Sequence, residues 1–301
     1  MCALHFAIRR PNRRETRVTK CDPDRVTKHD RVLWSAVRRP GYVGCMHYEQ
    51  ITCTRDHAVA TITLNRPEKL NAFTFRMLAE VNAALDDVAD ADLRALVLTG
   101  SGRAFSAGDD LIGMGGSDPA TDIRNGHHRV IRRLRGLRVP VVAALNGFTL
   151  GAGLDLALAC DFRIAAEEAQ LGDVRATRAM CSMSGAAYWL PRMVGVARAT
   201  EILLLGERLP ASRALDLGLV TQVVPVARLQ AAVAAFVDRL LGLPTAALGA
   251  QKACLEFGLR HDLAGALENE MQELIQGFAR EDWHEAILAF AEKRRARFTG
   301  R

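Results

Sequence analysis

The 301-residue chain lacks the features that mark several large protein classes. No apolar run approaches the roughly 18 residues that a membrane span requires, since even the stretch from Leu150 to Cys160 is interrupted by Asp155. That argues against a transmembrane protein. The first 45 residues have no apolar core of the kind a secretory signal carries. They are Arg-rich like a mitochondrial transit peptide, but Glu15, Asp22, Asp24 and Asp30, with Pro11, Pro23 and Pro40, argue against one long amphipathic helix. The seven cysteines are odd in number and include no CxxC pair, which suggests neither a disulfide framework nor a zinc ribbon. A reducing, cytoplasmic setting is expected. GxxxxGK and HExxH are absent, GxSxG fails because Ser182 rather than glycine precedes Ser184, and Gly147, Gly151 and Gly153 lack dinucleotide spacing. His127 and His128 are adjacent, so on a helix they diverge by about 100° and cannot chelate one metal together. They read as a solvated face, and no metal is expected.

What the chain does have is a hydrophobic content of 49%, enough for a sizeable core, and a net charge of +6 that is unevenly placed. Residues 1–45 hold eleven Arg or Lys and four Asp or Glu, a balance of +7; the 29 basic and 30 acidic residues that follow give −1. The first 45 residues are therefore expected to be a disordered basic extension. Downstream, Gln50–Thr54 and Val59–Leu64 read as a hairpin turning at Arg55-Asp56-His57, and residues 74–89 carry Phe75, Leu78, Val81, Leu85 and Val88 at helical spacing. Ala95–Thr99 and Pro140–Leu145 read as buried strands, each followed by a glycine-containing turn and a helical pattern. This alternation predicts an α/β core over 46–244. From Thr245 onward the apolar spacing is helical throughout, which predicts a helical region over 245–301.

Two segments of small residues stand out: Arg103 to Leu111, after the strand at 95–99, and Asn146 to Asp155, after the strand at 141–145. Both are strand-to-loop-to-helix junctions, where backbone N–H groups are left without partners and a ligand oxygen can approach closely. Side by side, such junctions could aim two N–H groups at one oxyanion. From the residues alone they are equally compatible with ordinary tight α/β turns.

These segments, with Asn65-Arg66-Pro67-Glu68-Lys69-Leu70-Asn71-Ala72 before them, resemble the signature segments of the enoyl-CoA hydratase/isomerase (crotonase) superfamily. Leu209–Val220 and Phe290-Ala291-Glu292-Lys293-Arg294 are similar to that family as well, so the resemblance covers about residues 47–299. It implies a spiral of ββα units with a helical C-terminal region that supports trimers, often paired into hexamers. It also implies a coenzyme A thioester as substrate with no further cofactor. By position, the resemblance makes the N–H groups of Asp109 and Ala152 the oxyanion donors and Asp155 the surviving catalytic carboxylate. Lys69, Leu70, Ala107 and Asp110 fall where the family contacts coenzyme A, and Phe290 and Lys293 where a C-terminal helix meets it, commonly across a subunit boundary.

One departure stands out. Hydratases of this family use two glutamates; the first place holds Asp155 and the second, within Ala169–Arg175, holds Arg175. A guanidinium cannot act as a general base. Placed near Asp155 or Asp173, it is expected to lower the carboxylate pKa and keep that group anionic. The expected activity is therefore enoyl-CoA hydratase-like. The alternatives are an isomerase or other one-carboxylate enzyme (hydrolase, decarboxylase), or a non-catalytic CoA- or RNA-binding relative whose basic tail meets phosphate. Cys181 reads as a buried filler, and Tyr188 as either core packing or pocket lining.

Overall fold

In the computed structural model, which describes residues 48–89, 92–112 and 118–301, the first elements are the antiparallel strands β1 (Ile51–Asp56) and β2 (Val59–Leu64). Asp56 pairs with Val59, so the turn is the two residues between them rather than Arg55-Asp56-His57, with His57 at φ 51°. Helix α1 (Phe75–Val88) starts where the Thr74 hydroxyl accepts the Met77 N–H, a side-chain N-cap. It buries Leu78, Val81, Leu85 and Val88 of the expected stripe and Met77 besides, while Phe75 at its first turn is only half-buried.

Three successive turns of chain then build the core. Each contributes one strand to a large sheet and one to a small sheet: β3 (Ala95–Gly100) with β4 (Ala104–Ser106), β5 (Val141–Leu145) with β6 (Phe148–Leu150), and β7 (Phe162–Ala166) with β8 (Gln170–Gly172). The large sheet runs β1-β2-β3-β5-β7-β10, closing with β10 (Gln222–Val224), and the small one runs β4-β6-β8-β9, with β9 at Leu209–Pro210. Pairing is parallel except for β1 with β2 and β8 with β9. Helices follow the strand pairs: α2 (Pro119–Ile123) and α3 (Arg129–Gly136), joined by a π turn at Arg124–His128; α4 (Ala152–Ala159); and α5 (Ala186–Leu205). The result is a spiral of ββα units.

The near-continuous apolar runs of β3 and β5 follow from burial on both faces, the usual state of a parallel strand. Leu96, Leu98, Val141, Ala143 and Leu145 point into one core with α1, α3 and α4, while Ala95, Val97, Val142 and Ala144 point into a second. The second core is closed by Leu229, Val233 and Val237 of α7 (Leu229–Leu241), which follows α6 (Ala211–Asp216). The chain ends in α8 (Thr245–Gly258), α9 (Leu263–Gly277) and α10 (Glu281–Ala291). Leu255, Leu263, Leu267, Leu274 and Ile275 on these helices remain more than half exposed. Among the described residues no single helix is long and apolar enough to cross a membrane. The extension read at 1–45 lies outside the described residues.

Candidate active site

The small sheet brings the two glycine-rich junctions together. Gly108, at φ 95°, lies so close to the second junction that an added β-carbon would meet Leu150 O at 2.9 Å and Ala152 N at 3.3 Å. The first junction is pinned by its neighbours: Phe73 N donates to Gly108 O at 2.7 Å and Asp110 N donates to Phe73 O at 2.9 Å. Asp109, between them in an isolated bridge to Phe73, therefore turns its own N–H away. Ala152 is the first residue of α4, where no intrahelical acceptor exists. Among the described residues neither N–H meets an acceptor. Asn71 secures this arrangement from beneath: fully buried, it donates to Ser101 O at 2.9 Å and Ala104 O at 2.7 Å and accepts from Arg66 N at 2.9 Å.

Asp155 and Arg175 meet, but inside a closed ionic triad. Arg175 Nη1 donates to Asp155 Oδ2 at 2.7 Å, and Nη2 donates to Asp155 Oδ1 at 3.2 Å and to Asp173 Oδ2 at 2.6 Å. Its Nε donates to Asp173 Oδ1 at 2.7 Å, and the Ala186 N–H donates to Asp155 Oδ1 at 2.7 Å. Asp155 is 0% exposed. Burial drives its pKa upward; the Arg175 hydrogen bonds and charge oppose this without offsetting it, and Asp173 adds to it. The expected lowering is thus corrected to a rise, because one guanidinium is shared by two carboxylates away from water. Burial alone would lower the Arg175 pKa, but hydrogen bonds to Asp173 and Asp155 raise it well above the ordinary arginine value.

His127 overturns the solvated-face reading. It is 4% exposed, its Nε2 stands 2.9 Å from Asp109 Oδ1, and its ring meets Phe73 edge-on at 5.9 Å. The Asp109 contact lacks the alignment of a full hydrogen bond. His128 diverges as expected and reaches Met183 O at 2.8 Å. The sequence does carry a signal for His127, which lies three and seven residues before the buried Val130 and Leu134. It lines a cavity of about 10 Å³ with Phe73, Ile131, Ala152, Leu156 and Ser184.

The expected coenzyme A contacts divide into two groups. Lys69 is exposed on a short 3-10 turn, Leu70 accepts the Ala107 N–H at 2.9 Å, and Asp110 holds Arg66 at 3.1 Å, so these four positions share one rim. Phe290 is 85% exposed at the end of α10 and Lys293 is exposed just beyond it, and neither is drawn into that rim by a hydrogen bond or ion pair among the described residues. Cys181, read as a buried filler, is exposed. Tyr188 packs against the core, edge-on to Trp189 at 4.6 Å and beneath the Arg192 guanidinium at 3.7 Å, and does not line the cavity.

A spiral of ββα units with two converging junctions and two unpaired N–H groups defines a site built to receive an oxyanion, and comparison with known proteins gives the family. The chain matches the enoyl-CoA hydratase/isomerase family over residues 54–301 and belongs to it. It is 38% identical over 85% of its length to all of a probable enoyl-CoA hydratase from Rhodobacter capsulatus. To a crotonyl-CoA hydratase from Syntrophomonas wolfei it is 34% identical, over 84% of this chain and 99% of the relative. The crystal structure of enoyl-CoA hydratase from Bacillus anthracis superposes with a TM-score of 0.80 at 33% identity, covering 84% of this chain and 100% of that one.

Proposed function

We propose that this chain is an enoyl-CoA hydratase-like enzyme that binds the thioester oxygen between the N–H groups of Asp109 and Ala152. The observation that carries the reading is their convergence: two backbone donors on adjacent junctions, neither with an acceptor among the described residues. Ala152 opens α4, so the helix dipole adds favourable potential for the negative charge of an enolate. Backbone donors held by a folded sheet need no reorganisation as charge develops, which is what makes such sites effective. Coenzyme A is read as lying along Lys69, Leu70, Ala107 and Asp110, with Phe290 and Lys293 closing on it from a neighbouring subunit. The thioester is the only cofactor-like group in this reading, and no metal takes part. Trimers, or pairs of trimers, are supported by the apolar side chains left exposed on α8 to α10. A reducing, cytoplasmic compartment is supported by the free Cys53, Cys160, Cys181 and Cys254.

Arg175 in the second glutamate position favours one alternative, a one-carboxylate reaction such as migration of the double bond. Purified protein with crotonyl-CoA separates the two. Loss of the enoyl thioester with formation of a 3-hydroxyacyl product is the expected outcome. No hydration, together with conversion of a 3-enoyl to a 2-enoyl thioester, replaces hydratase with isomerase.

A further inference from the structure

Hydration needs a group that takes a proton from water and returns one to carbon. Asp155 is poorly placed to do so, because both its oxygens are engaged by Arg175 and the Ala186 N–H, and it does not line the cavity beside Ala152. Three observations converge on another side chain. A π turn, a rare irregularity that recurs at functional sites, interrupts the helical segment at Arg124–His128 and carries His127 into the interior. There His127 lines the cavity with Ala152 and Ser184, while Asp109 Oδ1 stands 2.9 Å from its ring. Ser184, 4% exposed, lines the same cavity, and its Oγ has no hydrogen-bond partner among the described residues. The cavity, at about 10 Å³, has room for roughly one water, and a water needs polar partners of this kind.

We propose that His127, oriented by Asp109, is the acid–base group of this enzyme, and that Ser184 holds the water it acts on; the inference rests on the hydratase-like reading. Nε2 is the ring nitrogen that faces the Asp109 carboxylate, and Nδ1 is left to act as the base. As the water oxygen bonds to the β-carbon, His127 takes one of its protons. The C=C π pair shifts toward the α-carbon and the thioester oxygen, and the resulting enolate rests on the Asp109 and Ala152 N–H groups. The imidazolium then protonates the α-carbon. Of the two water hydrogens, one ends on the new hydroxyl and one on the α-carbon, and the ring is neutral again. The Asp109 carboxylate faces the ring and stabilises the imidazolium. One residue thus serves both halves of the site, its N–H facing the oxyanion and its carboxylate facing the histidine.

The test uses the full chain and two readouts, hydration of crotonyl-CoA and exchange of the α-protons of butyryl-CoA with D₂O. His127→Gln is expected to lower both by about 10²- to 10⁴-fold, the usual span for a lost general acid–base. His127→Ala is expected to regain turnover with added imidazole, a rescue that a merely structural histidine would not show. Asp109→Asn keeps the backbone donor, so it should lower kcat with KM little changed; it also carries the test if the His127→Ala chain does not fold. Ser184→Ala should lower hydration by roughly tenfold, as loss of one hydrogen bond predicts, and leave α-proton exchange intact. Hydration and exchange by His127→Gln within threefold of the wild type would overturn the proposal. A wild type that exchanges α-protons through His127 but hydrates nothing would overturn the hydratase reading while leaving His127 as the acid–base group. A wild type with neither activity would overturn both.

Discussion

Two buried ionic clusters flank the same helix start, and they differ in how completely their polar atoms are used. In the Asp155–Arg175–Asp173 triad every carboxylate oxygen accepts a hydrogen bond and the guanidinium donates in several directions. In the Asp109–His127 pair the carboxylate oxygen facing the ring is unaligned, and nearby Ser184 Oγ has no partner among the described residues. A saturated network has nothing left to offer a substrate; it holds the backbone in place. Arg175 Cγ would lie 3.8 Å from a β-carbon at Gly151, so the triad braces the turn that presents the Ala152 N–H. Unspent hydrogen-bonding capacity in a buried site is costly for stability and is available to a bound molecule.

The largest expected effect comes from breaking the saturated cluster. Arg175→Met leaves Asp155 and Asp173 buried without their cation, and denaturant titration should show a loss of about 3–5 kcal/mol. Replacing all three members by apolar residues of similar volume should recover most of that loss. A recovered fold with unimpaired turnover would show the triad to be structural alone.

Ala152→Pro acts on the oxyanion donor instead. Proline is tolerated at the first helical position and lacks the N–H, so kcat should fall by about 10²- to 10³-fold while the denaturation midpoint moves little. A large stability loss with unchanged kcat per folded molecule would contradict the role given to this donor.

The smallest effect lies in pH dependence, where a surface carboxylate and the triad should titrate with opposite sign. Glu285, bonded to Arg294 at 2.6 and 2.8 Å and to the Arg297 N–H at 2.7 Å, is lowered from 4.5 to about 2 chiefly by the Arg294 hydrogen bonds. Its contribution is present above the unfolded pKa and fades as pH falls through the folded value. Glu285→Gln should remove that acid-side dependence from the unfolding of the C-terminal segment. Asp155, raised by burial, contributes in the other direction, present in acid and lost as pH rises through its folded pKa. Compared across pH with Asp155→Asn, the wild type should therefore lose relative stability toward neutrality.

Much of the fold is legible in the residues because its signals are local. The periodicity of 74–89 corresponds to α1, shortened by one residue at each end, and the buried strands at 95–99 and 140–145 correspond to β3 and β5 within a residue. The site is legible only as segments. The spacing of His127 to Val130 and Leu134 marks it as inward-facing, but its partner Asp109 lies on another segment, so its role is not legible from the residues around it. Cys181 is expected to be buried in a stretch of small residues, but 180–183 crosses the surface before α5 begins. Arg175 is legible as a cation facing a carboxylate, yet nothing near it in sequence says that two carboxylates share it.

By itself, then, the sequence determined the element types, the two glycine junctions and, through its motifs, the family. These depend on neighbours along the chain, where spacing, turn residues and backbone freedom act. The tertiary structure decided which charges are spent and which are free. That outcome depends on the order of strands in the small sheet, which sets β4 beside β6 and β6 beside β8. That order sets the helix after β6, which bears Asp155, beside the segment after β8, which bears Arg175. Charges far apart in sequence acquire their energies when folding removes the water between them.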